Sequence, residues 1–287
     1  MSALQIEASA CVAEVPSMLP LNVRERLAAG RRLTTSDGTR RIVWHDWAPP
    51  DGAGTQAPPV VLFHGGSGSW THWVKNVLPL VDAGRRVLAV DLPGFGDSDP
   101  PEGGTDADAM VEPLAASLRA LVGDAPFDLV GFSFGGMTAG MLVAAHPALA
   151  RRLVLVGAPA MGVAPGRQFE LKAWRHLRAA QDQVEIHRHN LGVLMLYDHS
   201  LIDGLALEVH IANVQRDRLP RRRLAFTDIL ATSLARVRCP VHAIYGAHDV
   251  LYRHHLPELQ AAFARSAPDF RGLQLIEGAG HWVQFEA

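Results

Sequence analysis

Short apolar runs alternate with amphipathic stretches along most of this chain. Four runs of strand length are continuously apolar, as expected for parallel strands buried on both faces. They lie at residues 59–63, 87–90, 129–130 with their flanks, and 153–156. Helical spacing fills the intervals, at residues 70–81, 106–121 and 135–145. Strands that alternate with helices predict an α/β fold built on a mostly parallel, doubly wound sheet.

The pattern changes at both ends and in the middle of the chain. Residues 31–35 and 41–47 predict two strands around a short turn, whereas residues 1–20 form an extension without clear periodicity. Residues 161–235 hold no strong strand signal. Their amphipathic stretches lie at residues 169–180, 184–195 and 201–214, and strands resume at residues 241–245 and 273–276. We therefore predict one core, residues 1–160 and 236–287, interrupted by a helical cap at residues 161–235.

Composition narrows the choice of partners. The chain has 287 residues, 48% of them hydrophobic, and a formal net charge of -2. This balance argues against nucleic acid or an anionic membrane as the main partner and leaves a small-molecule substrate. The chain carries one arginine cluster, which consists of Arg216, Arg218, Arg221, Arg222 and Arg223. We favour a solvated face or hinge for it, and attraction of an anionic substrate is the alternative.

Cysteine usage and the N-terminus bear on the compartment. Cys11 and Cys239 are the only cysteines, and we expect Cys239 to be a buried thiol rather than half of a disulfide. The first ten residues lack a basic region followed by an apolar core, so no signal peptide is expected. The longest apolar runs are far shorter than a membrane span. The sequence thus predicts a cytoplasmic protein.

The strongest chemical signal is a Gly-x-Ser-x-Gly turn at residues 131–135, between an apolar strand and a helix. Such a turn forces the serine into a tight bend, and its glycines remove Cβ atoms that would clash. The hydroxyl of Ser133 then stands at the carboxyl end of the sheet, where ligands of open α/β folds bind. We predict Ser133 as a nucleophile. A purely structural turn is the alternative.

A serine nucleophile needs a base and a carboxylate that orients it. Among 14 histidines, His281 lies in a glycine-rich turn directly after the last strand, and Asp249 follows the preceding strand. The order serine, aspartate, histidine is the one expected for this type of site. His187 and His189 could suggest a metal pair, but no third ligand is apparent, so we expect no metal and no cofactor.

The developing oxyanion needs donors that are held in place beforehand. We expect one from the backbone N–H of Phe134, next to the nucleophile. The second is expected from the glycine loop after the first parallel strand, where Gly66 is favoured and Ser67 is the alternative. His64 is expected to brace this loop rather than to react.

These motifs resemble those of the α/β-hydrolase superfamily over nearly the whole chain. The matching segments are residues 64–66, 91–98, 131–135, 245–249 and 280–282. Within the superfamily, residues 281–286 and the insertion are most similar to the meta-cleavage-product hydrolases, which split carbon–carbon bonds. That resemblance places Ser67, Phe132, His210 and Trp282 in the substrate pocket. The family normally continues into a final helix that covers the sheet, and an uncovered apolar strip would favour a homodimer.

Two departures from that family affect the expected substrate. Phe132 stands where the family usually has asparagine. His210 occupies the position of the arginine that the family has in its cap. Both differences weaken the case for an acidic dienoate. We therefore predict a serine hydrolase that cleaves a small to medium, largely apolar ester through an acyl-enzyme. A carbon–carbon bond hydrolase is the alternative, and a ligand-binding receptor with a vestigial triad is a third hypothesis.

Overall fold

The computed structural model describes residues 4–9, 11–12, 15–49, 57–163, 169–219 and 221–287. Within these residues nine strands form a single sheet in the order β1-β2-β3-β5-β4-β6-β7-β8-β9. The strands are β1 (Gln5–Ser9), β2 (Arg31–Ser36), β3 (Arg41–Trp47), β4 (Val60–Phe63), β5 (Val87–Asp91), β6 (Phe127–Phe132), β7 (Ala150–Val156), β8 (Val241–Gly246) and β9 (Phe270–Ile276). Strands β1 to β3 pair antiparallel, and β4 to β9 are parallel. The predicted α/β fold with a mostly parallel sheet is confirmed.

Helices cover both faces of the sheet. They are α1 (Leu21–Ala28), α2 (Val77–Asp82), α3 (Val111–Val122), α4 (Phe134–Ala145), α5 (Ala180–Leu194), α6 (Leu205–Gln215), α7 (Ile229–Leu234), α8 (Leu256–Ser266) and α9 (Val283–Glu286). Short 3-10 turns occur at Trp70–Trp73, Ala107–Met110, His199–Leu201 and Leu224–Phe226. Every residue of β4 and β5 is buried, which explains their continuous apolar sequence. No helix in the described part of the chain is long and apolar enough to cross a membrane.

The central strands position the nucleophile. Phe63 at the end of β4 pairs with Val90 of β5 and Gly131 of β6. The carboxyl ends of these strands therefore share one edge, and α4 begins there directly after β6. Helix α4 is apolar around nearly its whole circumference because the sheet, α3 and α7 all contact it. A fully packed helix fixes the turn that precedes it.

Several local predictions were wrong. The extension contains an edge strand, β1, whose exposed residues pair with β2. The predicted helix at residues 70–81 is a 3-10 turn followed by α2. Residues 169–179 are not helical, since α5 begins at Ala180. Helices α5, α6 and α7 lie in the described part of residues 161–235, but α7 packs on the core helix α4. The cap bounds and the homodimer stay predictions.

The arginine cluster is only partly the solvated face that we favoured. Arg218 donates to the carbonyl of Gly96 at 3.1 Å and to that of Ser98. Arg216 pairs with Asp97. These contacts fasten the segment after α6 to the loop after β5. Arg221 and Arg223 are exposed, as a solvated face requires.

Candidate active site

Ser133 occupies a strained turn between β6 and α4. Its φ is 49°, in the left-handed region that costs a non-glycine residue on the order of 1–3 kcal/mol. The flanking glycines permit the turn, because a Cβ on Gly131 would lie 2.6 Å from the carbonyl oxygen of Gly135. A Cβ on Gly135 would lie 2.3 Å from the carbonyl oxygen of His64. Larger residues at these positions would push the serine out of place.

The structure brings Ser133, His281 and Asp249 together in one chain of hydrogen bonds. Ser133 Oγ lies 2.9 Å from His281 Nε2, and His281 Nδ1 lies 2.9 Å from Asp249 Oδ2. The aspartate is fully buried and His281 is 3% exposed. Because an ionised carboxylate only accepts, Nδ1 carries the proton and Nε2 is free to accept from the serine. The other oxygen, Asp249 Oδ1, accepts the N–H of Leu251 at 2.9 Å.

The loop that carries His281 is fastened on two sides. Its Gly280 N–H donates to Glu286 Oε2 at 2.5 Å, and the backbone N–H of Trp282 donates to the carbonyl of Met195 at 2.7 Å. Gly246 at the end of β8 lets the loop approach, since a Cβ there would lie 2.1 Å from the Gly280 carbonyl oxygen. The base is therefore held by the core and by the chain just after α5.

The glycine loop after β4 faces Ser133. The backbone N–H groups of Gly66 and Phe134 have no hydrogen-bond partner among the described residues, so both are available to an oxyanion. His64 braces the loop, because its Nδ1 lies 2.7 Å from the Gly65 carbonyl oxygen and its Nε2 accepts the Leu92 N–H at 2.9 Å. Burial lowers the pKa of His64 to about 4 and keeps the ring neutral.

A cavity of about 520 Å³ opens over Ser133. Its walls include the predicted residues Gly66, Ser67, Phe132, Phe134 and His281. Most of the remaining wall is apolar and comes from the segment between β7 and β8. The apolar side chains in that part of the wall include Met161, Val163, Phe169, Leu171, Leu194, Met195, Ala225 and Phe226, and its polar members are Arg222, Thr227 and Asp228. The cavity therefore offers apolar side chains to one part of a bound compound and polar groups to its reactive part.

Two residues predicted for the pocket lie elsewhere. His210 on α6 is not part of the cavity wall, and its ring meets His187 with centroids 5.4 Å apart. Trp282 is fully buried beneath the site, where its ring packs on Phe285 and His72. Phe132 does line the cavity, and its ring centre lies 5.2 Å from that of His281.

Arg222 is a cavity residue that the sequence did not single out. Its Nη1 lies 2.8 Å from Asp217 Oδ2, and its Nη2 donates to Ser67 Oγ at 3.2 Å. Ser67 Oγ in turn donates to Asp217 Oδ2 at 2.5 Å. The guanidinium also stacks over Phe95 and Phe134, 5.0 and 5.6 Å from their ring centres. The arginine cluster was the available signal, but spacing alone did not identify the member that faces the nucleophile.

The described residues contain no group of three or more histidine, cysteine or acidic side chains that could hold a metal ion. Both cysteines are free thiols, and Cys239 is buried as predicted. Burial raises the pKa of Cys239 to about 11, so this thiol is not a second nucleophile near neutral pH.

Comparison with known proteins agrees with this geometry. The chain is 29% identical over 296 residues to 2-hydroxy-6-oxononadienedioate/2-hydroxy-6-oxononatrienedioate hydrolase of Cupriavidus pinatubonensis, covering 92% of this chain and 94% of the relative. It is 30% identical over 248 residues to 2-hydroxy-6-oxo-2,4-heptadienoate hydrolase of Pseudomonas putida, covering 79% and 84%. Among solved structures, an esterase from a Rhodococcus species superposes with a TM-score of 0.67 at 22% identity, covering 88% and 91%.

The family comparison covers the parallel part of the sheet and all three residues of the Ser133 hydrogen-bond chain. Residues 58–287 match the family described as alpha/beta hydrolase fold. The predicted resemblance to meta-cleavage-product hydrolases is confirmed by the two hydrolase relatives. The chain belongs to the α/β-hydrolase fold family of enzymes.

Proposed function

We propose that the protein is a serine hydrolase that cleaves neutral, largely apolar carboxylic esters. The observation that carries the serine mechanism is the buried chain from Ser133 Oγ through His281 to Asp249, with 2.9 Å at each step. A serine hydroxyl near pH 7 becomes a useful nucleophile only when a neutral imidazole accepts its proton. The tautomer fixed by Asp249 leaves Nε2 free for that task.

The reaction takes place in two halves. Ser133 Oγ attacks the ester carbonyl carbon while His281 takes its proton, and the N–H groups of Gly66 and Phe134 stabilise the oxyanion. His281 then gives the proton to the departing alcohol, which leaves an acyl-enzyme on Ser133. Water attacks the acyl carbon, His281 again takes and returns a proton, and the carboxylic acid is released.

The charges around the cavity support a neutral substrate. Among the described residues of the wall, Arg222 is the only arginine or lysine, and it is already paired with Asp217. A substrate carboxylate would have to compete with that aspartate for the guanidinium. Without such a partner the carboxylate would lose hydration with little compensation. An uncharged ester meets apolar walls and avoids this cost.

The relatives favour a second candidate, hydrolysis of a carbon–carbon bond in a ring-cleavage product. Two relatives that span most of this chain are named as hydrolases of oxo-dienoate compounds. The same serine, base and oxyanion donors would be used. For this candidate, Arg222 would have to exchange Asp217 for the substrate carboxylate.

A substrate panel separates the two candidates. Purified enzyme is assayed on p-nitrophenyl esters of increasing acyl length and on a 2-hydroxy-6-oxo dienoate, with Ser133→Ala as the blank. We expect kcat/KM to be higher on a neutral ester than on the dienoate. A clear preference for the dienoate would overturn the ester assignment and establish the second candidate. Inactivity on the whole panel would contradict both.

A further inference from the structure

We propose that His72 is a positioning residue whose neutral imidazole fixes the oxyanion loop, residues 65–68, against the Ser133 turn. The inference rests on the proposed function, because only a hydrolase that builds up negative charge on its substrate needs this loop held. His72 belongs neither to the triad nor to the cavity wall. Its side chain nevertheless contacts all three segments that take part in the proposed reaction.

The first connection is to the loop itself. His72 Nδ1 accepts the N–H of Gly65 at 3.2 Å, one residue before the oxyanion donor Gly66. The loop also wraps around the ring, because a Cβ on Gly68 would lie 2.4 Å from His72 Cε1. The ring therefore meets the loop at both ends, and glycine at position 68 permits that approach.

The second connection is to the two segments that carry the nucleophile and the base. The His72 ring meets Phe132, the residue before Ser133, edge-on with centroids 5.5 Å apart. It also packs on Trp282, the residue after His281, with centroids 5.0 Å apart. Trp282 Nε1–H donates to the His72 carbonyl at 3.0 Å. One side chain thus contacts the oxyanion loop, the nucleophile turn and the base loop.

His72 is itself held firmly, as a positioning residue must be. It is 3% exposed and lies in the 3-10 turn Trp70–Trp73. Ser69 begins this turn by accepting the Thr71 N–H. Ser69 Oγ also donates to Asn213 Oδ1 of α6 at 2.7 Å. The support for the loop therefore extends to the segment that covers the site.

His64 bonds the Gly65 carbonyl and His72 bonds the Gly65 N–H, so the two rings require opposite tautomers. His64 Nδ1 donates to the Gly65 carbonyl, so its proton is on Nδ1. His72 Nδ1 accepts from the Gly65 N–H, so its proton is on Nε2. A second proton on His72 would face the N–H that it holds. Burial, with His64, His210 and His281 nearby, keeps the pKa of His72 well below its ordinary value.

Two substitutions separate the acceptor from the ring. His72→Asn keeps an acceptor oxygen near the Nδ1 position, and His72→Phe keeps an aromatic ring without an acceptor. We expect the Phe variant to lose about 10- to 100-fold in kcat, with KM within about threefold, since one oxyanion donor contributes about 10²–10³. The Asn variant should stay within about fivefold of wild type. Affinity for a boronic acid inhibitor should fall in parallel with kcat/KM, because the bound inhibitor mimics the tetrahedral state of the reaction.

The opposite ordering would overturn the proposal. If the Phe variant keeps wild-type kcat, or if its loss appears in KM alone, His72 does not act through the oxyanion loop. Equal losses in both variants would mean that ring packing, and not the acceptor, matters.

A measurement on the wild type keeps the test independent of folding in the variants. Nitrogen-15 NMR of the histidine rings at pH 7 should report a neutral Nε2–H tautomer for His72 and a neutral Nδ1–H tautomer for His64. A charged ring or the Nδ1–H tautomer at His72 would overturn the proposal. If these tautomers are found but the wild type is inactive on the whole substrate panel, the proposed function fails while the geometry of the loop stands.

Discussion

Replacing Asp249 by asparagine tests whether the carboxylate acts through the tautomer of His281. The two oxygens of Asp249 have different partners, since Oδ2 faces His281 Nδ1 and Oδ1 accepts the Leu251 N–H, both at 2.9 Å. In Asp249→Asn, the amide oxygen can stay on Leu251 only if the NH₂ group turns to His281. That group donates, so Nδ1 would become an acceptor and the imidazole proton would move to Nε2, facing Ser133.

The other orientation of the amide also disrupts the site. With its oxygen on His281, the NH₂ group would oppose the Leu251 N–H in a site where the aspartate is fully buried. Either way the base is lost or the site is strained. We expect kcat to fall by up to about 10⁴, which corresponds to about 5 kcal/mol of transition-state stabilisation. Steady-state rates on the preferred ester measure the fall, and circular dichroism monitors the fold.

Asp228→Asn is the matched control. Asp228 lines the cavity but is exposed, and among the described residues the hydrogen-bond partners of the His281 ring are Ser133 and Asp249, so kcat of the variant should stay within about twofold of wild type. Near-normal turnover in Asp249→Asn, with a large loss in Asp228→Asn, would refute the reasoning and assign the carboxylate role to Asp228.

Three further predictions concern groups outside the triad. Burial lowers the pKa of His64 from 6.5 to about 4, so the unfolded chain binds more protons than the folded chain between these pH values. The free energy of unfolding should therefore fall by up to about 3 kcal/mol as the pH drops through that window. Urea titrations at about pH 7.5, 5.5 and 4.5 measure this fall, and a constant stability would contradict the prediction. Iodoacetamide should label exposed Cys11 much faster than buried Cys239 in the native protein and both equally in urea, and equal native rates would contradict the burial. His210→Arg should lower the free energy of unfolding by roughly 2 kcal/mol. It should not raise activity on the dienoate, because His210 lies outside the cavity wall. A gain in dienoate turnover would place His210 in the site.

Motifs that are set by local backbone chemistry could be predicted from the sequence. Ser133 adopts a left-handed backbone conformation, and the flanking glycines in the sequence indicate this turn. Asp249 and His281 follow the last two strands that the sequence predicts, so their meeting at one sheet edge follows from the fold.

Features set by contacts between distant residues could not be predicted. Strand β1 has no apolar pattern because its residues are exposed, and only pairing with β2 makes it a strand. The non-helical chain around Lys172 has helical spacing, but the Asn190 side chain holds the Lys172 N–H at 2.8 Å and its carbonyl at 2.9 Å. Such side-chain bonds replace the helical ones.

The pocket residues show the same limit. Trp282 follows the base in sequence, yet its ring turns away to donate to the His72 carbonyl. Arg222 is one arginine of five in its cluster, and only the fold places it beside Ser67. A sequence pattern identifies the type of a residue, whereas the direction of a side chain depends on its tertiary neighbours.

The central claim is that Ser133 is the nucleophile, and active-site labelling tests it most directly. Wild-type protein and Ser133→Ala are incubated with a fluorophosphonate probe and analysed by intact mass and peptide mapping. The account predicts a single adduct on the peptide that contains Ser133 in the wild type, no adduct in the variant, and a fall in kcat of about 10⁴ or more. An adduct that persists in Ser133→Ala, or one that maps to another serine of the wild type, would contradict it.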